Sequence, residues 1–288
     1  MAATADIATR SGRVPPSYAP AGPTGARRYI QLAAGYLGQY LRSRLEYRAD
    51  FLSGVLSEAF TQAISLTFLA VLFTHVPSLA GWSQPDIYVM YAFFQLSWGL
   101  ADSCAGGVWG FGERYIVRGE LDRLLLRPAA PLFQLLLEGV DLESFLQVGA
   151  GVVILLWATA AAGVHWRWWM PPLVALWTCA GAAIFLGVFL ALTCAAFWVD
   201  GRTGVMPLVY NTTAYGRYPV TIYGRWLRIL FSYLLPFAFV AFYPAAALLR
   251  PAAYLAWGMG ALPAAAAAAA VAGFVWVRGL RRYQGSGS

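Results

Sequence analysis

The chain has 288 residues, of which 60% are hydrophobic and 11% are charged, and its formal net charge at pH 7 is +7. Since a soluble domain carries about 25% charged residues, this composition excludes a soluble protein and predicts an all-α, polytopic membrane protein. All twenty basic residues are arginine, so the lysine of a nucleotide-binding P-loop is missing and the chain is not expected to hydrolyse ATP by itself.

The N-terminal part precedes the first long apolar run. Residues 1–26, rich in alanine, proline, glycine, serine and threonine, predict a disordered cytoplasmic tail ahead of a transmembrane domain over 27–288. Between 27 and 50, apolar and tyrosine residues alternate with arginines, which is typical of a basic amphipathic helix in the headgroup plane. We therefore expect an interfacial helix there.

Long apolar runs then predict six membrane-spanning helices. They cover about 51–74, 87–111, 144–163, 172–198, 227–249 and 253–277. This assignment makes 199–226 a cytoplasmic loop and leaves only Arg167 and Arg250 among the arginines outside. Because arginines concentrate in cytoplasmic loops, both chain termini are expected in the cytoplasm.

A few polar side chains and prolines interrupt the predicted spans. An ionisable group at membrane depth normally faces the bundle interior or a water-filled cavity, because lipid exposure costs several kcal/mol. One interpretation places these residues on a translocation path, and the other makes them packing partners of neighbouring helices. The candidate path residues are Glu58, Gln95, Asp102, Pro236, Phe239 and Tyr243.

The sequence offers no pattern for metal binding or covalent catalysis. Its three cysteines lie in apolar runs without CxxC spacing, and its two histidines are His75 and His165. Metal sites need clustered ligands and nucleophilic catalysis needs a positioned base. Neither a metal, a cofactor nor an enzymatic activity is therefore expected of this chain.

A charged segment at 113–131 lies between the second and third predicted spans. Its apolar residues Val117, Leu121 and Leu124 fall on one helical face, while charged residues occupy another. Pro128 ends this pattern, because a helix interior needs the amide that proline lacks. The segment predicts either an amphipathic surface helix or a solvated loop between two spans.

This order of elements resembles the permease subunits of type-2 ABC transporters. Three segments are similar to a bacterial six-span subfamily of these permeases: ArgGlyGluLeuAspArgLeuLeuLeuArgPro at 118–128, ArgTyrProValThrIleTyr at 217–223 and ArgArgTyrGlnGlySerGly at 281–287. The resemblance implies an exporter of a hydrophobic or amphipathic substrate in the bacterial inner membrane. Its implied partners are two cytoplasmic ATPase subunits, which bind ATP and magnesium, and a second identical or paralogous permease. Membrane lipid surrounds it, and no nucleic acid is expected.

In such permeases, the helix between the second and third spans is a coupling helix that seats in a groove of the ATPase. The resemblance therefore implies that 113–127 docks the ATPase, as an amphipathic helix docks in a groove. The expected docking residues are Glu113, Arg114, Val117, Arg118, Leu121, Asp122, Arg123, Leu124 and Arg127.

Two alternatives remain open at this point. The resemblance also permits a short fifth span over 203–216 followed by an outer re-entrant hairpin. Fourteen residues at about 1.5 Å each reach only ~21 Å, less than a hydrocarbon core of ~30 Å, so the cytoplasmic loop is the first choice. For function, the alternative is a proton-coupled secondary transporter that uses Asp102 and Glu58.

Overall fold

The computed structural model describes residues 48–127, 129–138, 143–198 and 210–283, together with 34, 35 and 38. These residues form helices and no strand, which confirms the all-α prediction. The tail predicted over 1–26, most of the interfacial helix predicted over 27–50, and residues 199–209 lie outside the described residues.

The described residues include a series of α-helices. They are α1 (Arg48–His75), α2 (Gln84–Asp102), α3 (Gly106–Trp109), α4 (Leu121–Leu126), α5 (Pro131–Leu137), α6 (Glu143–Ala161), α7 (Met170–Thr193), α8 (Arg225–Ile229), α9 (Phe242–Leu249), α10 (Pro251–Met259) and α11 (Ala261–Arg282). Helical turns of π type lie at Phe111–Val117 and Leu230–Leu234, and 3₁₀ turns at Cys194–Phe197, Ala214–Arg217, Val220–Ile222 and Phe237–Phe239.

Four stretches are long and apolar enough to cross a membrane, which confirms a polytopic membrane protein. They are Leu52–His75, Ser144–Ala161, Met170–Phe197 and Pro251–Arg282, and they agree with the first, third, fourth and sixth predicted spans. A fifth candidate joins Arg225–Leu234 to Phe237–Leu249 through a bend of 74°. The described residues thus give four or five spans by length and composition, and the count of six stays a prediction.

The second span, predicted over 87–111, is divided: α2 ends at Asp102, and α3 follows after a turn. Helix α2 is the centre of the bundle. It packs against α6, α7 and α9, and thirteen of its residues are buried. Because its neighbours shield it from lipid, this helix can carry Gln95, Ser97 and Asp102 without exposing them to hydrocarbon. Such a helix does not need the apolar surface that lipid contact requires, so α2 is not among the four apolar stretches.

Glycines allow the central helices to approach closely. A Cβ atom added to Gly99 of α2 would lie 2.8 Å from the carbonyl oxygen of Ser144, and one added to Gly151 of α6 would lie 3.0 Å from Cγ of Leu96. Small residues at such crossings let helix backbones pack against each other inside a membrane. The close contact between α2 and α6 therefore depends on having glycine, which lacks a side chain, at these two positions.

The region after α7 departs from the cytoplasmic loop predicted over 199–226. Its described part starts at Tyr210, whose ring centroid lies 5.5 Å from that of Trp98. Further on, the guanidinium carbon of Arg217 lies 4.9 Å from the ring centroid of Phe94, in the middle of α2. This segment enters the bundle beside α2, which favours the alternative topology. The arginine count does not predict this placement, because aromatic rings inside the bundle attract the Arg217 cation.

We predict that replacing Gly151 by valine forces α2 and α6 apart and costs about 1–3 kcal/mol of unfolding free energy, as overpacking does. Gly149 lies in the same helix, and a Cβ atom there meets nothing within 4 Å, so Gly149→Val is the matched control. Thermal unfolding of the two purified variants, followed by tryptophan fluorescence, measures the difference. Equal stabilities would contradict a tight contact at Gly151.

Candidate functional site

A cavity of about 480 Å³ lies between α1, α2 and the segment that ends at Arg217. Its wall carries two acids, Glu58 and Asp102, and one cation, Arg217. Amides and aromatic rings complete the lining. A charged cavity inside an apolar bundle is the kind of place where membrane proteins bind and move polar groups.

One wall of the cavity is a hydrogen-bonded chain between α1 and α2. Glu58 and Gln62 are one helical turn apart, so both side chains lie on the face of α1 toward α2. The hydroxyl of Tyr91 donates to Oε1 of Gln62, and Nε2 of Gln62 donates to Oε1 of Glu58 over 2.7 Å. This chain fixes the position of the Glu58 carboxylate.

The carboxylate of Asp102 joins three helices at another part of the lining. Nε1 of Trp109, in α3, donates to Oδ1 over 3.1 Å. The hydroxyl of Ser144, in α6, donates to Oδ2 over 3.1 Å. Each carboxylate oxygen therefore has a neutral donor, and the end of α2 is tied to α3 and α6.

Arg217 brings a positive charge to the cavity from the 3₁₀ turn Ala214–Arg217. Its guanidinium carbon lies 4.9 Å from the ring centroid of Phe94 and 5.7 Å from that of Tyr91. Within the described part of the chain, its buried Nε has no hydrogen-bond partner. Aromatic faces attract the cation but accept none of its ordinary hydrogen bonds.

Three aromatic side chains form a continuous wall beside Asp102. The ring centroids of Trp98 and Trp109 are 6.2 Å apart, and Tyr210 lies 5.5 Å from the first and 5.3 Å from the second. All three line the cavity. Such rings offer flat apolar surface next to the polar groups, so the cavity is amphipathic.

The predicted path residues separate into two groups. Glu58, Gln95 and Asp102 line the cavity. Pro236, Phe239 and Tyr243 do not: Pro236 precedes the 3₁₀ turn Phe237–Phe239 at the bend, and the ring of Tyr243 lies 4.6 Å from that of Phe239 and 5.3 Å from that of Trp257. The structure therefore gives the second group a packing role between α9 and α10.

The sequence pattern did not reveal Arg217 as a cavity residue, because its partners on α2 are more than a hundred positions earlier in the chain. The same distance hides Tyr210. Gln62 could have been predicted from the sequence as a cavity residue, since it follows Glu58 by one helical turn and places a second polar group on the same face.

A second surface lies at the end of the bundle that carries 113–127. The helix predicted there is divided into the π-type turn Phe111–Val117 and α4. Gly119, between them, has φ of 72°, a left-handed conformation that favours glycine. Periodicity counted across this glycine described one helix where the chain forms two.

The predicted docking residues differ widely in exposure. Leu121 and Leu124, which the resemblance implied as docking residues, are only 0% and 2% exposed and belong to the bundle core, so they offer no surface to a partner. Asp122 is half-buried. Leu126, which the prediction omitted, is 85% exposed. The exposed surface, here called the arginine platform, consists of Glu113, Arg114, Val117, Arg118, Arg123, Leu126 and Arg127.

Glu138, at the end of α5, holds the arginine platform in place. The hydroxyl of Tyr115 donates to its Oε2 over 2.6 Å, and Nη1 of Arg127 donates to its Oε1 over 2.8 Å. Burial and the hydrogen bond to this carboxylate raise the pKa of the Tyr115 hydroxyl above its usual range, so Tyr115 remains a donor. One carboxylate thus ties both helical pieces of the platform segment to α5.

We predict that Glu138→Gln loosens the arginine platform, because it replaces a charged acceptor of two hydrogen bonds by a neutral amide. Hydrogen exchange of the amides in 113–127 is expected to become faster. Glu113→Gln is the control, since the Glu113–Arg118 pair is exposed on both sides and such pairs contribute little. Unchanged exchange in Glu138→Gln would show that the platform does not depend on this carboxylate.

The family described as "ABC-2 family transporter protein" matches residues 59–287. The match covers α2, the Arg217 segment and the whole arginine platform. No curated protein and no solved structure gave a match.

Proposed function

Since the chain belongs to the ABC-2 family of transporter proteins and is a membrane permease, we propose that it exports a hydrophobic or amphipathic substrate with energy from a separate ATPase. The amphipathic cavity inside the bundle is the observation that carries this proposal. Two permeases, identical or paralogous, would pair with two ATPase subunits. ATP and magnesium would be bound by those subunits.

The distribution of arginines supports an orientation in the bacterial inner membrane. Tyr283 lies beside Phe197, and Phe197 beside Phe111, so the end of α11 is close to the platform segment. Arginines cluster at this end, and such clusters stay in the cytoplasm. We therefore place the arginine platform and both termini in the cytoplasm, where ATP is.

Contact with the ATPase is assigned to the arginine platform. Leu126 is an exposed apolar side chain among exposed arginines. In a complex with the ATPase it would be buried as an anchor, with charged contacts around it. The arginines favour an ATPase groove with an acidic rim, because opposite charges guide docking and fix its orientation. Val117 adds a smaller apolar contact.

We predict that the double variant Arg118→Glu, Leu126→Glu loses its ATPase, since removing an interface anchor costs about 2 kcal/mol or more, or roughly thirtyfold in affinity. The measurement is co-purification of the ATPase with tagged permease from native membranes. Arg225→Glu, on α8, reverses a charge outside the platform and is the control. Retention of the ATPase together with full ATP-driven transport by the double variant would refute the docking assignment.

A proton-driven secondary transporter is the second candidate, because the carboxylates Glu58 and Asp102 both line the cavity and intramembrane acids can carry protons. Transport by membrane vesicles distinguishes the two. Export powered by an ATPase stops when ATP is depleted, whereas proton-coupled transport continues without ATP and stops when the proton gradient is collapsed.

A further inference from the structure

We infer that Arg217 binds the head group of the substrate, and that this head group is an oxyanion, either a carboxylate or a phosphate, on an apolar or aromatic body. The inference rests on the proposed export function and specifies its substrate class. It follows from the buried Nε of Arg217, which has no hydrogen-bond partner among the described residues, from the way Arg217 is held, and from the apolar space next to it.

Arg217 is the only cation among the described residues that line the cavity, and each acid of the lining accepts hydrogen bonds from neutral side chains. Glu58 accepts a hydrogen bond from Gln62, and Asp102 accepts from two neutral donors. The buried Nε of Arg217 has no hydrogen-bond partner among the described residues, and leaving a charged donor buried without a partner is costly. The donors of the guanidinium form a planar fork that matches a carboxylate or a phosphate, so an oxyanion supplies the missing partner.

The ring faces of Phe94 and Tyr91 position the cation without neutralising it. They contact the guanidinium at centroid distances of 4.9 and 5.7 Å. Gly216, just before it, packs so closely that a Cβ atom there would lie 3.2 Å from Cβ of Phe237. The turn that carries the cation is therefore held against the bundle, and a ligand does not have to order it on binding.

A smaller cavity of about 200 Å³ lies on the side of Arg217 toward α1. Its apolar lining includes Ile64, Phe68 and Leu69, and both Ile64 and Phe68 also present exposed surface on α1. Arg217 thus lies between the amphipathic cavity and a smaller apolar cavity. This arrangement fits an amphiphile with its head at the guanidinium and its apolar part along α1.

The two acids of the large cavity distinguish such a substrate from a free anion. Glu58 and Asp102 together outnumber the single cation, so a small anion such as acetate gains little in this site. A molecule that also buries apolar surface in the smaller cavity or on the aromatic wall gains the additional free energy of that burial. The site should therefore select for the combination of an oxyanion and an apolar body.

The experiment uses the full-length permease in nanodiscs of phosphatidylcholine and four soluble probes. Phenylacetate, 2-phenylethanol and phenethylammonium share one aromatic body with an anionic, a neutral and a cationic head, and acetate is the head alone. Calorimetric titration is expected to show phenylacetate as the tightest ligand. Arg217→Gln should weaken phenylacetate about tenfold or more, as loss of a charge-assisted hydrogen bond does, and leave 2-phenylethanol unchanged.

Control variants separate recognition from folding. Arg225→Gln removes another arginine of the same region outside the cavity and is expected to change no affinity. Arg217→Lys keeps the charge but loses the planar fork, so it should still bind phenylacetate more tightly than 2-phenylethanol, by a smaller margin than the unchanged chain. If Arg217→Gln loses every probe through misfolding, this lysine variant decides, and loss of its preference for phenylacetate overturns the inference.

Three further outcomes overturn the inference in different ways. Phenethylammonium as the tightest ligand would assign recognition to the acids. Acetate binding as tightly as phenylacetate would reduce the site to a simple anion site. Unchanged phenylacetate affinity in a folded Arg217→Gln chain would exclude Arg217.

Co-purification of the ATPase, measured on the same preparations, keeps the two proposals apart. If the ATPase is present and the preference for phenylacetate is absent, only the substrate class fails. If the preference is present and no ATPase associates with the permease, the export function fails and the binding site remains.

Discussion

A polar group inside a bilayer must find its partner within the protein, because hydrocarbon offers none. In this chain the constraint falls mainly on α2, which carries Gln95 and Asp102 and contacts Gln62 through Tyr91. Helices α6, α7 and α9 enclose it, and the close contact at Gly151 makes part of that enclosure possible. The cavity is the space that these helices leave on the side toward α1.

The same constraint explains the irregular backbone between α7 and α10. Short 3₁₀ and π turns and a bend of 74° replace a straight span there. Interrupted backbone is tolerated at membrane depth only where it is buried in protein or lines a cavity, and this segment does both. It packs against α2, and it places Arg217 at the cavity. Pro236 lies at the bend because proline cannot continue a helix.

Helices that face lipid could be predicted from the sequence. Segments whose conformation depends on packing against the rest of the protein could not. The length of the apolar runs was enough to locate α1, α6, α7 and the α10–α11 span, because a helix that crosses a bilayer needs an apolar run of that length. The division of 113–127 at Gly119 and the burial of Leu121 depend on packing against α5 and the core, which periodicity does not contain. The charges of Glu58 and Asp102 made them candidates for a path or for helix packing, and the structure places both at the cavity. Arg217 could be identified only from its tertiary contact with Phe94.

Under the proposed function, force enters at the arginine platform and has to reach the cavity, and the chain offers a short route between them. The platform segment follows directly on α3, whose Trp109 both lines the cavity and donates to Asp102. A Cβ atom on Gly107 of α3 would overlap the backbone of Leu135 in α5, so α3 cannot shift without α5, which Glu138 ties to the platform. Val108 of α3 also accepts a hydrogen bond from Thr193 at the end of α7. Coupling through packed contacts requires rigid elements in continuous contact, and here α3 is the element that touches both sites. Under the proposed function, a displacement of the platform would therefore be transmitted through α3 to Trp109 and the aromatic wall of the cavity.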